Sequence, residues 1–295
     1  GDPVGEDAVL THLVEPLNMS DVAWSRDGSA ILFVSAHDFV HSRDNERNVF
    51  LMRPDGTELR MLTGVYTDPA DAPGPYATLM GQVIAGQGTC MVSAQGVASP
   101  VLADSSGVFA LPGVPLSATW ARAVCQTGGA ALQGAVEVVA EGDTLVPVAI
   151  PVEAKGQGWM QASLSRDGTR LAGTHYRWSL DAEGAKEYVM SGVITTLDDT
   201  LIAMVELPES TTLMGLDWSP VDDTLVGGLT GVKSTWLWRW DAQGKSVGAI
   251  VEIPNTDSAV LSVMNPVWSP DGTQIAFGLR QWHLWEENQS RTELA

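Results

Sequence analysis

A repeated segment limits the folds open to this chain more than any other feature of its sequence. Four stretches align: Val22-Ala23-Trp24-Ser25-Arg26-Asp27-Gly28, Ala162-Ser163-Leu164-Ser165-Arg166-Asp167-Gly168, Leu216-Asp217-Trp218-Ser219-Pro220, and Pro266-Val267-Trp268-Ser269-Pro270-Asp271-Gly272. Each precedes a short apolar run: Ile31-Leu32-Phe33-Val34, Leu171-Ala172, Leu225-Val226 and Ile275-Ala276-Phe277. The pattern predicts a strand, a tight turn and a returning strand. Proline presets φ at the first turn position, aspartate bonds back to turn amides, and glycine takes positive φ. Trp24, Trp218 and Trp268 hold the repeated first-strand position. With Asp27, Gly28, Asp167, Gly168, Asp271 and Gly272 they are read as structural.

Further strands complete each unit. Residues 49–52 with Pro54-Asp55-Gly56, and the stretch 235–244, read as a third strand followed by a turn. A fourth strand is expected at 59–62, at Val205-Glu206-Leu207-Pro208 and at Val251-Glu252-Ile253-Pro254. Four short antiparallel strands per repeat make one propeller blade. The motif resembles the WD40-like propeller repeat of the TolB family, with its W-S-P-D-G turn and following I-A-F strand. The resemblance covers 11–64 and 157–295. It implies a fold rather than an activity, since such blades serve TolB, prolyl-oligopeptidase-type proteases and many binding proteins.

Spacing reveals an insertion. Fifty residues separate Trp218 from Trp268 and 54 separate Leu164 from Trp218, but 140 separate Trp24 from Leu164. The extra stretch is poor in charge and rich in Gly, Ala and Val. Its pieces Gly81-Gln82-Val83, the turn Asp104-Ser105-Ser106-Gly107 leading to Gly113-Val114-Pro115, and Val146-Pro147-Val148-Ala149-Ile150 resemble the carboxypeptidase regulatory-like (transthyretin-like) β-sandwich. The expected organisation is therefore all-β: a small propeller from 10–70 and 156–295, and an inserted sandwich over 78–153. Cys90 and Cys125 match no metal spacing; they form either one bridge outside the cytoplasm or two buried apolar thiols. Within the sandwich resemblance they face each other across the two sheets.

Leu13-Val14-Glu15-Pro16 reads like the Val-Glu-x-Pro fourth strands, and Trp282-His283-Leu284-Trp285 reads as a third strand. The N-terminal strand is thus expected to close a ring of about four blades, hiding strand edges. The alternative is that further blades lie outside this sequence, as in a six-bladed parent. No apolar run reaches the length of about eighteen residues that a membrane-spanning helix needs. With 16 Lys and Arg against 36 Asp and Glu, the net charge of −20 argues against nucleic acid and against anionic lipid as partners. Both resembled families imply an exported protein of the periplasm or cell surface, its signal segment removed.

Candidate chemistry is sparse. His37, Asp38 and His41, followed by Asp44 and Glu46, form the densest group of ligand types. Zinc or another divalent ion is the alternative to the reading taken, an ordinary polar loop. No cofactor is expected. A serine triad is not expected either: no Gly-x-Ser-x-Gly nucleophile elbow is expected in the chain, nor a helical α/β region to hold one. Trp282 or Trp285 is allowed as a surface anchor for partners. The expected function is a non-catalytic envelope protein, an interaction or scaffold subunit serving other protein subunits, with an extrinsic place on a membrane-bound complex as one setting. Its acidic face suits cationic partners. The alternatives are a fragment of a prolyl-oligopeptidase-type hydrolase or a glycan-binding propeller.

Overall fold

In the computed structural model the chain is all-β. The structure describes residues 20–36, 41–126, 131–256, 259–283 and 290–294, and among these no α-helix occurs. The first sheet is a meander of β1 (Ser20–Trp24), β2 (Ile31–Ser35), β3 (Asn48–Met52) and β4 (Arg60–Met61). Two further four-stranded meanders follow the insertion. One is β14 (Lys155–Leu164), β15 (Arg170–Leu180), β16 (Lys186–Thr196) and β17 (Leu201–Met204). The next is β18 (Thr211–Trp218), β19 (Leu225–Gly231), β20 (Ser234–Trp240) and β21 (Ser246–Pro254). The last sheet has three strands: β22 (Ala259–Trp268), β23 (Ile275–His283) and β24 (Ser290–Leu294).

The repeated turns build themselves by local hydrogen bonds. Ser25 Oγ donates to Asp27 Oδ1 at 2.8 Å, and that oxygen also accepts the Ser29 amide at 3.0 Å. Ser165 with Asp167 and Ser269 with Asp271 repeat the contact at 2.6 Å. Hydroxyl and amide donors lower the carboxyl pKa of Asp27, Asp167 and Asp271 to about 2. Gly28, Gly168 and Gly272 close the turns at φ of 69°, 71° and 70°, a region costly for any residue with a Cβ.

Neighbouring meanders bury their faces on one another. Leu32, Val34 and Val49 meet Trp159, Ala162 and Leu171; Ala172 and Ile194 meet Leu213, Leu216 and Trp240; Val226 and Leu237 meet Val263. Gly228 permits the third of these contacts, since a Cβ there would lie 2.1 Å from the Val263 carbonyl oxygen. The first strands β1, β14, β18 and β22 come near one another at both of their ends. Beside the hairpin turns all four contribute to one cavity of about 260 Å³, and at their other ends to a second of about 210 Å³.

The insertion folds as two layers over one core. β5 (Tyr76–Ile84) lies between β8 (Val108–Pro115) and β13 (Val148–Pro151); the second sheet runs β10 (Leu132–Glu137), β9 (Trp120–Gln126), β6 (Thr89–Ala94), β7 (Val101–Leu102). A separate hairpin pairs β11 (Ala140–Glu141) with β12 (Thr144–Leu145). Leu79, Leu111 and Ile150 of one sheet pack with Val92, Ala123 and Cys125 of the other.

Several expectations need correcting. Cys90 and Cys125 are joined, but as directly opposed residues of adjacent strands β6 and β9, so the bridge lies within one sheet and not across the two. Alternation explains this, because both residues point into the core from the same face. Residues 205–208 are not a strand: Leu201–Met204 takes the ladder, and Val205 turns into the core between the second and third meanders. Pro208 has no amide to donate to a ladder. Trp282 and His283 prolong the second strand of the last sheet opposite Val260 and Ala259, and the third strand is Ser290–Leu294. Trp24, Trp218 and Trp268 differ in setting. Trp218 is 4% exposed and Trp268 half-buried, but Trp24 is 62% exposed on the face of the first sheet turned away from the second. The expected closing strand near 13–16 lies outside the described residues.

Candidate functional site

The segment between β2 and β3 organises the junction of the inserted unit with the meanders. Its backbone joins the second meander, Glu46 N donating to Gln157 O at 2.7 Å and Trp159 N to Arg47 O at 3.0 Å. From the inserted unit comes Arg122, the one basic residue of the stretch 78–153. It is 2% exposed. Its Nη1 donates to the carbonyls of Ser42 at 2.7 Å and Asn45 at 3.0 Å, and its Nη2 to Gln133 Oε1. Desolvation lowers its pKa to about 10, opposed by Asp44 and Glu46, so the guanidinium stays charged near neutrality. A second cluster centres on Glu46. Its carboxylate accepts Trp178 Nε1 at 2.9 Å, Tyr176 Oη at 3.3 Å and Gln133 Nε2 at 3.3 Å. Burial raises the Tyr176 phenol and lowers His175 to about 4, so His175 is neutral at ordinary pH.

Above this network opens a cleft of about 460 Å³ between the two units. Four cations line it, Arg43, Arg122, Lys155 and Arg177, against the acids Asp44 and Glu187. In a chain of net charge −20 this is a local inversion of sign. Arg43 lies 3.4 Å from Asp44, and Lys155 pairs with Glu153. Among the described residues no carboxylate lies within ion-pair distance of the exposed Arg177. The wall beside it carries Trp178, its ring capped by Lys186 Nζ at 4.0 Å. Concave, half-apolar sites with a few convergent charges are where ligands and partner segments bind.

The residues singled out from sequence lie elsewhere or at the margin. Asp44 borders the cleft, His41 sits at the head of its loop, and His37 falls outside the described residues. Among the described residues no group of three His, Cys, Asp or Glu side chains could hold a metal ion. Trp282 is 41% exposed under the Arg280 guanidinium at 3.6 Å, and Trp285 falls outside the described residues. Contrary to the expectation that no Gly-x-Ser-x-Gly occurs, the spacing is present once, at Gly244-Lys245-Ser246-Val247-Gly248. It forms the turn into β21 of a β-hairpin, where Ser246 Oγ accepts Trp238 Nε1 at 3.0 Å. No strand-to-helix turn exposes that hydroxyl. Sequence reasoning missed Arg177 and Gln133 and read Glu46 only as part of a polar loop; the one further signal available was Arg122, alone in an uncharged strand.

No protein-family model matches the chain, and no curated protein matches it. Among solved structures it is similar to a protein from Agrobacterium tumefaciens described as a TolB, at 12% identity, covering 95% of this chain and 81% of that one, TM-score 0.31. It is also similar to a Kuenenia stuttgartiensis hydrazine synthase, at 11% identity over 93% and 79% of the two chains, TM-score 0.30. An oligogalacturonate lyase in complex with manganese gives 15% identity over 90% of this chain and 59% of that one, TM-score 0.31. TM-scores of this size leave the fold to rest on the chain's own sheets.

Proposed function

We propose that the chain is a non-catalytic, exported interaction subunit that holds an acidic segment of another protein subunit in its cationic cleft. The four meanders are blades of one small propeller, and the inserted unit is a sandwich fixed against it by Arg122. The observation that carries the reading is the cleft itself, where Arg177 stands exposed within a strongly acidic chain. Like-charge repulsion opposes acidic partners everywhere else on the surface, so the cleft selects both partner and register. Export is supported by the Cys90–Cys125 bridge, since such bonds persist in oxidising compartments.

The test is native co-purification from gently solubilised membranes with a photo-crosslinker at Val189, on the cleft wall. A specific adduct with one subunit is expected through an Asp- or Glu-rich segment, and Arg177→Glu should abolish it while leaving the circular dichroism unchanged. Elution as a solitary chain, an adduct insensitive to Arg177→Glu, or peptide-bond hydrolysis scaling with protein concentration would each overturn the proposal.

A further inference from the structure

The first strands carry a second regularity at their ends away from the turns. Each contains a β-bulge that begins four or five residues before the repeated turn-flanking position, after Ser20 in β1, after Trp159 in β14, after Leu213 in β18 and after Met264 in β22. Bulges re-aim side chains. Counting four positions back from Trp24, Leu164, Trp218 and Trp268 gives Ser20, Met160, Met214 and Met264. The position before each methionine fills the core, with Trp159, Leu213 and Val263 nearly inaccessible. The next residue, at the bulge itself in β14 and β18, borders the cavity instead.

All four of these side chains line the 210 Å³ cavity, and Met190 of β16 supplies a further thioether. Four of the chain's 10 methionines therefore border one small space. Apolar filling does not require this choice, because the adjacent core position is filled by Trp, Leu and Val in turn, whereas the cavity-lining position repeats methionine. A thioether differs from leucine chiefly in its soft, polarisable sulfur. The hard groups of the cavity are occupied on the first-strand side, where Arg47 donates to Ser20 Oγ and lies near Asp21. Both cysteines are used in the disulfide, which leaves thioethers as the chain's sulfur donors.

Soft sulfur ligands select soft ions, and copper(I) is the biological one for neutral thioethers. We infer that this cavity binds a soft monovalent cation of the copper(I) class through Met160, Met214 and Met264, with Met190 as a further donor. Asp21 offsets the nearby Arg47 charge, and the acidic surface raises the local concentration of any cation at the mouth. The site is separate from the cationic cleft and stands or falls without it.

Silver(I) is the suitable probe, because it shares the ligand preference and needs no reductant that would open the disulfide. Titration of the full, oxidised chain by native mass spectrometry and calorimetry should give one silver ion per molecule. Leucine conserves methionine's volume and costs little stability. Each of Met160→Leu, Met214→Leu and Met264→Leu should weaken binding by about tenfold or more, and the triple variant should lose it. Met80→Leu in the inserted unit should bind as the parent does. Independently of any variant, silver(I) should slow hydrogen peroxide oxidation of Met160, Met214 and Met264, read by peptide mass, without slowing that of Met80. Undiminished binding by a folded triple variant, no binding by the parent, or equal oxidation at all sites would overturn the inference.

Discussion

Asp199 shows how one buried carboxyl shapes the response of this fold to pH. It stands at positive φ, accepts the Gly64 amide at 2.6 Å, and is pushed up to about 6 by burial, with Asp44 and Asp198 adding to the shift. Between about 4 and 6 the native state keeps a proton that the unfolded chain has released, so stability falls as pH rises through that window. His175 works in the opposite sense. The unfolded imidazole takes up a proton below 6.5, which the buried one refuses until about 4, so stability falls as pH drops through that range. Asn keeps the acceptor at position 199 and tolerates positive φ. Asp199→Asn should therefore stabilise the protein near pH 7.5 by about 1–2 kcal/mol, discounted for partial solvent access, with no gain near pH 3.5. Urea unfolding at the two pH values checks this.

At the scale of elements, what was readable from sequence is what bonds locally. The Ser-x-Asp-Gly turns were legible because every partner lies within five residues. The 205–208 segment was not, because its place in the core depends on strands far along the chain, and the Val-Glu-x-Pro spelling is shared by a true strand at 251–254. The cleft was illegible for the same reason: Arg122, Gln133 and Arg177 meet a loop that lies as much as 80 residues from the first of them. Contacts between meanders also rest on single side chains. Half-buried Asp217 accepts Ser163 Oγ of the second meander at 2.6 Å and the Trp268 amide of the fourth at 2.8 Å. Asp217→Ala should cost about 2–4 kcal/mol through donors left unsatisfied, while Asp217→Asn should cost less. Equilibrium denaturation of the two variants separates the loss of a hydrogen-bond bridge from the loss of charge.

For the whole molecule, the decisive contact is between units. Arg122 crosses the boundary to two backbone carbonyls, and Trp120 Nε1 adds a bond to the Val65 carbonyl at 3.1 Å. Arg122→Met should cost about 3 kcal/mol and uncouple the units. Scanning calorimetry is expected to resolve two transitions where the parent shows one, and limited proteolysis should open the 64–75 connection first. A single unchanged transition would place the coupling elsewhere. The acidity of the chain belongs mostly to the meanders, since the stretch 78–153 holds one basic and five acidic residues. The inserted unit therefore meets its host with few charges to screen, through directed hydrogen bonds.

The first and last strands of the inserted unit, β5 and β13, run parallel, pairing Gly81 to Ile84 with Val148 to Pro151. The chain accordingly joins the unit at one end and leaves it at the other, with β5 spanning about 26 Å between them. Tension along the polypeptide pulls these strands past each other and loads their bonds in shear, all together, instead of peeling them singly. The insertion is thus a mechanical link in series with the first meander, and its resistance to force is set by that one pair of strands.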